Sequence, residues 1–172
     1  MEIGKIPADL LEKLVIRPLT ENKKRSEVII GPATGEDCSA VDMGNNLCVV
    51  SSDPITGADK DAGYLAVHIN CNDIASAGAE PIGILLTVML PPGTEEKTLT
   101  ELSAGARRAA DEINVEILGG HTEVTAAVNK PLISGTALGK VPKYYFVSTS
   151  GAKPVQDIII TNLAGLEGTA VI

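Results

Sequence analysis

The chain has 172 residues and carries 14 Lys and Arg against 22 Asp and Glu, a formal charge of -8, which argues against a sequence-independent grip on nucleic acid, since that grip comes from clustered cations neutralising phosphates. No apolar run approaches the ~20 residues of a membrane span, and the start Met1-Glu2-Ile3-Gly4-Lys5-Ile6-Pro7 lacks the basic-then-apolar order of a secretory signal. Three cysteines with no C-x-x-C argue against a disulfide framework and a zinc site. The expected setting is cytoplasmic, with no nucleic acid and no membrane among the partners.

Residues 7–17 are expected to form a helix, because Pro suits a first helical position and Leu10, Leu11, Leu14 and Val15 make one apolar stripe. Lys23-Lys24-Arg25 reads as a solvated loop. Residues 28–30 are a short strand candidate, followed by the Gly31-Pro32 breaker and a loop to Asp37. Residues 39–42 and 47–52 flank Gly44-Asn45-Asn46, a hairpin signal. Residues 61–77 read as a helix of small side chains, which let other backbone come close, and Gly78 closes it. His68 and Cys71 share a face there, but two potential ligands make no site.

Residues 82–90 are a strand rich in branched side chains, stopped by Pro91-Pro92-Gly93. Thr94 is the expected N-cap of the next helix, with Glu95 and Glu96 where the dipole favours them. Its stripe Leu99, Leu102, Ala106, Ala109, Ile113 has the spacing of a buried face. Residues 116–118 and 132–141 complete the strands. This order predicts an α+β layer: a mixed, mainly antiparallel sheet with helices on one face. With no Trp and one Phe the core must be aliphatic, and stacking of bases on aromatic rings is largely unavailable. Beyond Val141 the character changes. Residues 142–172 read as a linker and the opening of a second domain, with a strand at 158–160 and a helix opened by Gly165-Leu166-Glu167-Gly168-Thr169. The chain stops inside an apolar run, which reads as a cut early in that domain.

Acidic residues gather at element ends: Asp37 after Gly35-Glu36, Asp53 after Ser51-Ser52, and Asp73 after Asn70-Cys71-Asn72. Carboxylates brought together from separate elements repel unless a cation joins them, and Mg²⁺ commonly binds a few carboxylates plus substrate phosphates. Asp73 lies near a helix C-terminus, where the dipole disfavours negative charge. It shares a face with Leu65 and Ile69, and no Lys or Arg lies three or four residues away. Two readings stand, a metal or a hydrogen bond to the backbone of a neighbouring loop. Asp53 precedes Pro54, which forces an extended backbone; it is either a site carboxylate or a turn-forming Asp-Pro. Gly119-Gly120-His121-Thr122 reads as a glycine turn that lets a ligand approach backbone. His121 by itself also fits an ordinary turn residue. No G-x-x-x-x-G-K-[ST], no helix-opening G-x-G-x-x-G and no G-x-S-x-G elbow is present.

The blocks Gly35-Glu36-Asp37-Cys38-Ser39-Ala40-Val41, Ser52-Asp53, residues 72–81 (Asn-Asp-Ile-Ala-Ser-Ala-Gly-Ala-Glu-Pro) and Gly119–Thr122 resemble the N-terminal ATP-binding domain of the aminoimidazole ribonucleotide synthetase (PurM-like) superfamily. The resemblance covers about residues 3–172. Residues 1–141 would be that N-terminal domain, and residues 142–172 the linker and start of its C-terminal domain. It implies ATP and Mg²⁺, with Asp37, Asp53 and Asp73 holding the metal on the phosphates. Asn72, Gly119, Gly120, His121 and Thr122 would line the nucleotide. It implies a homodimer whose N-terminal domains pair into a β-barrel, and phosphorylation of an amide, carbamoyl or phosphate oxygen. The wording of the chain looks closest to hydrogenase-maturation branches, which brings in a maturation partner protein. Two departures stand out. Glu36 occupies a position often held by a second Asp, and His121 that of a metal-binding Asp in the thiamine-monophosphate kinase branch. A non-catalytic dimerisation or docking module of a maturation complex, and a thiamine-monophosphate-kinase-like phosphotransferase, are the other readings.

Overall fold

The computed structural model describes residues 1, 3–22, 25–56 and 61–160. Six strands form one sheet: β1 (Val28–Ile30), β2 (Ser39–Asp42), β3 (Asn46–Ile55), β4 (Glu80–Leu90), β5 (Glu116–Val124) and β6 (Leu132–Pro142), in the order β1-β2-β3-β6-β4-β5. Every neighbouring pair is antiparallel except β4 and β5. Helix α3 (Ala62–Ser76) packs on β3, β6 and β4, and α4 (Glu96–Glu112) packs on α3 and β5. The expected α+β layer is observed, with α3 and α4 on one face.

The alternation of the strands fixes which side chains meet the helices. Leu47, Val49, Ser51 and Ile55 of β3 are buried, as are Ile133, Ala137 and Val141 of β6 and Ile84, Val88 and Leu90 of β4. Their counterparts come from α3 (Ala66, Val67, Cys71, Ile74) and α4 (Leu102, Ala106, Ala109). Small residues bring the helices together. A Cβ on Gly63 would collide with the carbonyl of Leu102, and one on Gly105 would lie 3.2 Å from the amide of Tyr64.

Gly78, at φ 75°, ends α3 in a Schellman arrangement: the Ala79 amide bonds the Ile74 carbonyl at 3.2 Å and the Gly78 amide bonds that of Ala75 at 2.9 Å. The hairpin from β2 to β3 forms where expected, its turn held by the Gly44 amide on Asp42 Oδ1 at 2.8 Å.

Four expectations need correction. The N-terminal helical stretch runs as α1 (Ala8–Leu11), a π turn (Glu12–Ile16) and α2 (Arg17–Thr20). Pro18 has no amide to bond the Leu14 carbonyl, which favours a locally wider turn. The stripe does not become core: Leu14 is 55% and Val15 41% exposed, and Ile16 is the buried residue. Thr94 is not the cap of α4. Its hydroxyl bonds the Pro91 carbonyl at 2.7 Å, and Glu95 takes the cap position without a side-chain bond. Strand β5 does not stop at Leu118 but runs to Val124. Residues 158–160 are exposed and in no strand. The helix expected from Gly165 lies outside the described residues.

Candidate functional site

Asp37, Asp53 and Asp73 reach one region from three elements. Asp53 is near the end of β3, paired with Gly135 of β6. Pro54 is tolerated there because β2 covers only residues 47–50 of β3, so the strand has a single neighbour at this point. Asp73 sits in the last turn of α3, half-buried, and its Oδ2 accepts from Ser51 Oγ at 2.8 Å. Leu65 and Ile69, its neighbours along the helix, are half-buried and 37% exposed, so Asp73 lies on the flank of the buried stripe. Asp37 is exposed in the loop before β2, next to Cys38, whose Sγ donates to the Asp73 carbonyl at 3.2 Å.

Burial pushes the Asp73 carboxyl up to about 6; the hydroxyl of Ser51 opposes the rise, and the neighbouring Asp53 and Asp37 add to it. Among the described residues no Lys or Arg pairs with any of the three carboxylates, and Ser51 is the one side-chain donor to them. Burial, and then the charges of Asp73, Asp37, Glu36 and Asp53, push the Cys38 thiol up to about 11, and burial followed by Asp73 does the same for Cys71. These thiols are structural, since the reactive form is the thiolate.

Asn70 organises the region and was not singled out for this role by the sequence. It is fully buried, its Oδ1 accepts the Asp53 amide at 2.8 Å, and its Nδ2 donates to the Ala66 carbonyl at 2.8 Å and to the Asp53 carbonyl at 3.3 Å. A Cβ on Gly135 would sit 2.5 Å from Asn70 Nδ2, so the glycine makes room for the amide. The available signal was position: Asn70 precedes Asp73 by three residues on a helix of small side chains.

The Gly119–Thr122 segment is not a turn. It lies inside β5, an edge strand exposed along its whole length. The register shifts between Ile84 and Leu85, leaving Leu118 as the extra residue. Gly119 and Gly120 adopt φ 136° and 145°, and a Cβ on Gly120 would collide with the Leu86 carbonyl. Close approach is therefore real, and the neighbouring strand is what approaches. Asp53, Gly135, Leu86 and Gly120 form one row across the sheet, so the acids and the glycines are three strand spacings, about 14 Å, apart. By alternation His121 shares the open face with its partner Thr87, whereas Gly120 and Thr122 belong to the helix-covered face. His121 is exposed and lies 3.3 Å from Glu123 Oε2. Asn72 is exposed on α3 beside Asp73. The structure thus gathers the three acids and leaves Gly119–Thr122 apart from them.

The donor set fits a hard cation that takes oxygen ligands. Among the described residues no three His, Cys, Asp or Glu side chains form a ready-made metal cage. Mg²⁺ does not require one, because it retains waters and uses one or two carboxylates together with phosphate oxygens.

A mixed, mainly antiparallel sheet with helices on one face, and three acids near the end of one of those helices, defines the class as an α+β domain. The chain belongs to the AIR synthase related protein family, whose N-terminal domain model matches residues 35–141. It is 32% identical over 135 residues to carbamoyl dehydratase HypE of Cupriavidus necator, covering 76% of this chain and 37% of that protein. It is 26% identical over 155 residues to thiamine-monophosphate kinase of Archaeoglobus fulgidus, covering 86% of this chain and 50% of that protein. The fold also resembles the crystal structure of hydrogenase maturation protein HypE in complex with ATP, with TM-score 0.60 and 26% identity over 89% of this chain and 45% of that one. The chain spans half or less of the length of these relatives.

Proposed function

We propose that this chain is the nucleotide-binding part of an ATP-dependent enzyme that phosphorylates and thereby activates an amide, carbamoyl or phosphate oxygen. The observation that carries the reading is the set of three acids with no basic partner among the described residues, one of them pushed up to about 6 by burial and its neighbours. Asp37, Asp53 and Asp73 would hold Mg²⁺. When bound, the ion neutralises charge on the transferring phosphoryl group, and catalysis of this kind rests on positioning and electrostatics. Ser51 orients Asp73, and Asn70 fixes the backbone of Asp53, so two of the acids are placed before any ligand arrives. Asn72, Gly119, Gly120, His121 and Thr122 are assigned to the nucleotide by resemblance. A separation of about 14 Å from the acids is longer than a triphosphate and suits a whole extended nucleotide, not a lone phosphate.

Two further parts belong to this reading. The open face of the sheet carries Val50, Leu138, Leu85 (40% exposed) and Leu118 (54% exposed), and pairing of two copies through it into a barrel would cover them. Residues 142–172 would lead into a second domain that selects the acceptor, in a cytoplasmic protein that docks a maturation partner. Mg-ATP is expected to raise the melting temperature of the chain, and Asp73→Asn to abolish the rise. An unchanged melting curve at saturating Mg-ATP would remove the reading. The separation of His121 from the acids favours a second reading, a non-catalytic docking module; such a module would dimerise in light scattering and ignore nucleotide.

A further inference from the structure

We propose that Glu36 is a positioning residue: its carboxylate ties the segment after β6 to the Gly35–Cys38 loop, and this tie holds Asp37 at the acid cluster. The inference rests on the reading of Asp37 as a metal carboxylate and adds a residue that governs it. Glu36 stands directly before Asp37, yet its carboxylate is turned to other partners. Oε1 accepts the Ser148 hydroxyl at 2.5 Å and the Ser150 amide at 3.1 Å. The Thr149 hydroxyl bonds the Gly35 carbonyl at 2.9 Å, and the Val147 amide bonds the Ala77 carbonyl, just beyond α3, at 3.0 Å. The segment 147–150 is thereby fastened both to the loop and to the helix end that carries Asp73. A small cavity of about 130 Å³ lies between them, lined by Glu36, Asp37, Cys38, Ser76, Ala77 and Ser148 among others.

Asp37 itself is exposed and accepts no hydrogen bond among the described residues. Its place is inherited from its two neighbours, Glu36 held by Ser148 and Ser150, and Cys38 held by the Asp73 carbonyl. Gly35, at φ 86°, and Gly31 leave the preceding loop with little stiffness of its own. Loss of the Glu36 tie frees one side of Asp37. Loss of an outer partner of this kind typically costs 10–100-fold in metal affinity.

The test is Mn²⁺ binding by the 172-residue chain, followed by electron paramagnetic resonance, with circular dichroism and melting to confirm folding. Glu36→Ala is expected to weaken Mn²⁺ about tenfold at a temperature where it is fully folded. Glu36→Gln, which keeps an acceptor oxygen for Ser148, should recover most of the affinity, and Ser148→Ala should weaken it in the same direction. Asp42→Asn cuts the separate 2.6 Å Asp42–Lys143 ion pair on the same trailing segment and should leave Mn²⁺ affinity unchanged. A folded Glu36→Ala chain that binds Mn²⁺ as tightly as wild type, while Asp37→Asn does not, overturns the positioning role and leaves the metal reading intact. Equal binding by wild type and Asp37→Asn overturns the metal reading and the positioning role with it.

Discussion

Asn70 shows how one side chain can hold a repulsive arrangement in place. Its side-chain amide, fully buried, satisfies both the amide and the carbonyl of Asp53 from inside the core. Asn70→Ala leaves the Asp53 amide without its acceptor and opens a void. Chemical denaturation should show a loss of about 1–3 kcal/mol for the unpaired group alone, and the Mg-ATP melting shift should shrink in the folded population. The acids themselves were legible in the sequence, because Asp37, Asp53 and Asp73 each sit at an element boundary. The helix-end position of Asp73 also signalled its need for a partner. Asn70 and Ser51 were not assigned roles, since a buried amide and a buried hydroxyl look like any polar residue until the strand facing the helix is known. Glu36 shows in the sequence only as a departure from the Asp often found there, because its ties reach across more than a hundred residues of sequence.

At the scale of elements, α3 and α4 touch backbone to backbone. Gly63 lies against the Leu102 carbonyl and Gly105 against the Tyr64 amide. Around this contact the Tyr64 hydroxyl donates to Glu112 at 2.6 Å, and the Arg108 guanidinium stacks 4.6 Å above the Tyr64 ring. Gly63→Ala must push the helices apart, since the obstacle is main chain and not a flexible side-chain tip. The expected loss is about 1–3 kcal/mol by urea denaturation, the usual cost of overpacking, and Gly63→Ser should do no better. The run of small residues in α3 announced this closeness. The length of β5 was not announced, because glycines end strands in many sequences. Here they serve a bulge and a tight interstrand contact, which depends on Leu86, thirty-four residues before Gly120.

For the whole molecule, the helices cover one face of the sheet and leave aliphatic side chains on the other. If two copies pair through that face, Leu85→Glu should convert a dimer into a monomer in light scattering while leaving the helical circular dichroism in place. A chain already monomeric as wild type would count against barrel pairing. The layer itself was readable from the order of elements, but the strand order was not. Consecutive strands commonly sit side by side, whereas here β6, the last strand among the described residues, takes the middle of the sheet.

That placement of β6 has a consequence for how the protein is made. Both β3 and β4 take β6 as a neighbour, and the Ser52–Thr136 hydroxyl contact alone joins residues 84 apart. Until residue 142 leaves the ribosome, β3 and β4 each lack a neighbour and Asn70 faces an empty row. Such late, non-local closure is slow and exposes unpaired edges meanwhile. The facing edges of β3 and β4 are therefore open to other chains until β6 closes the gap between them.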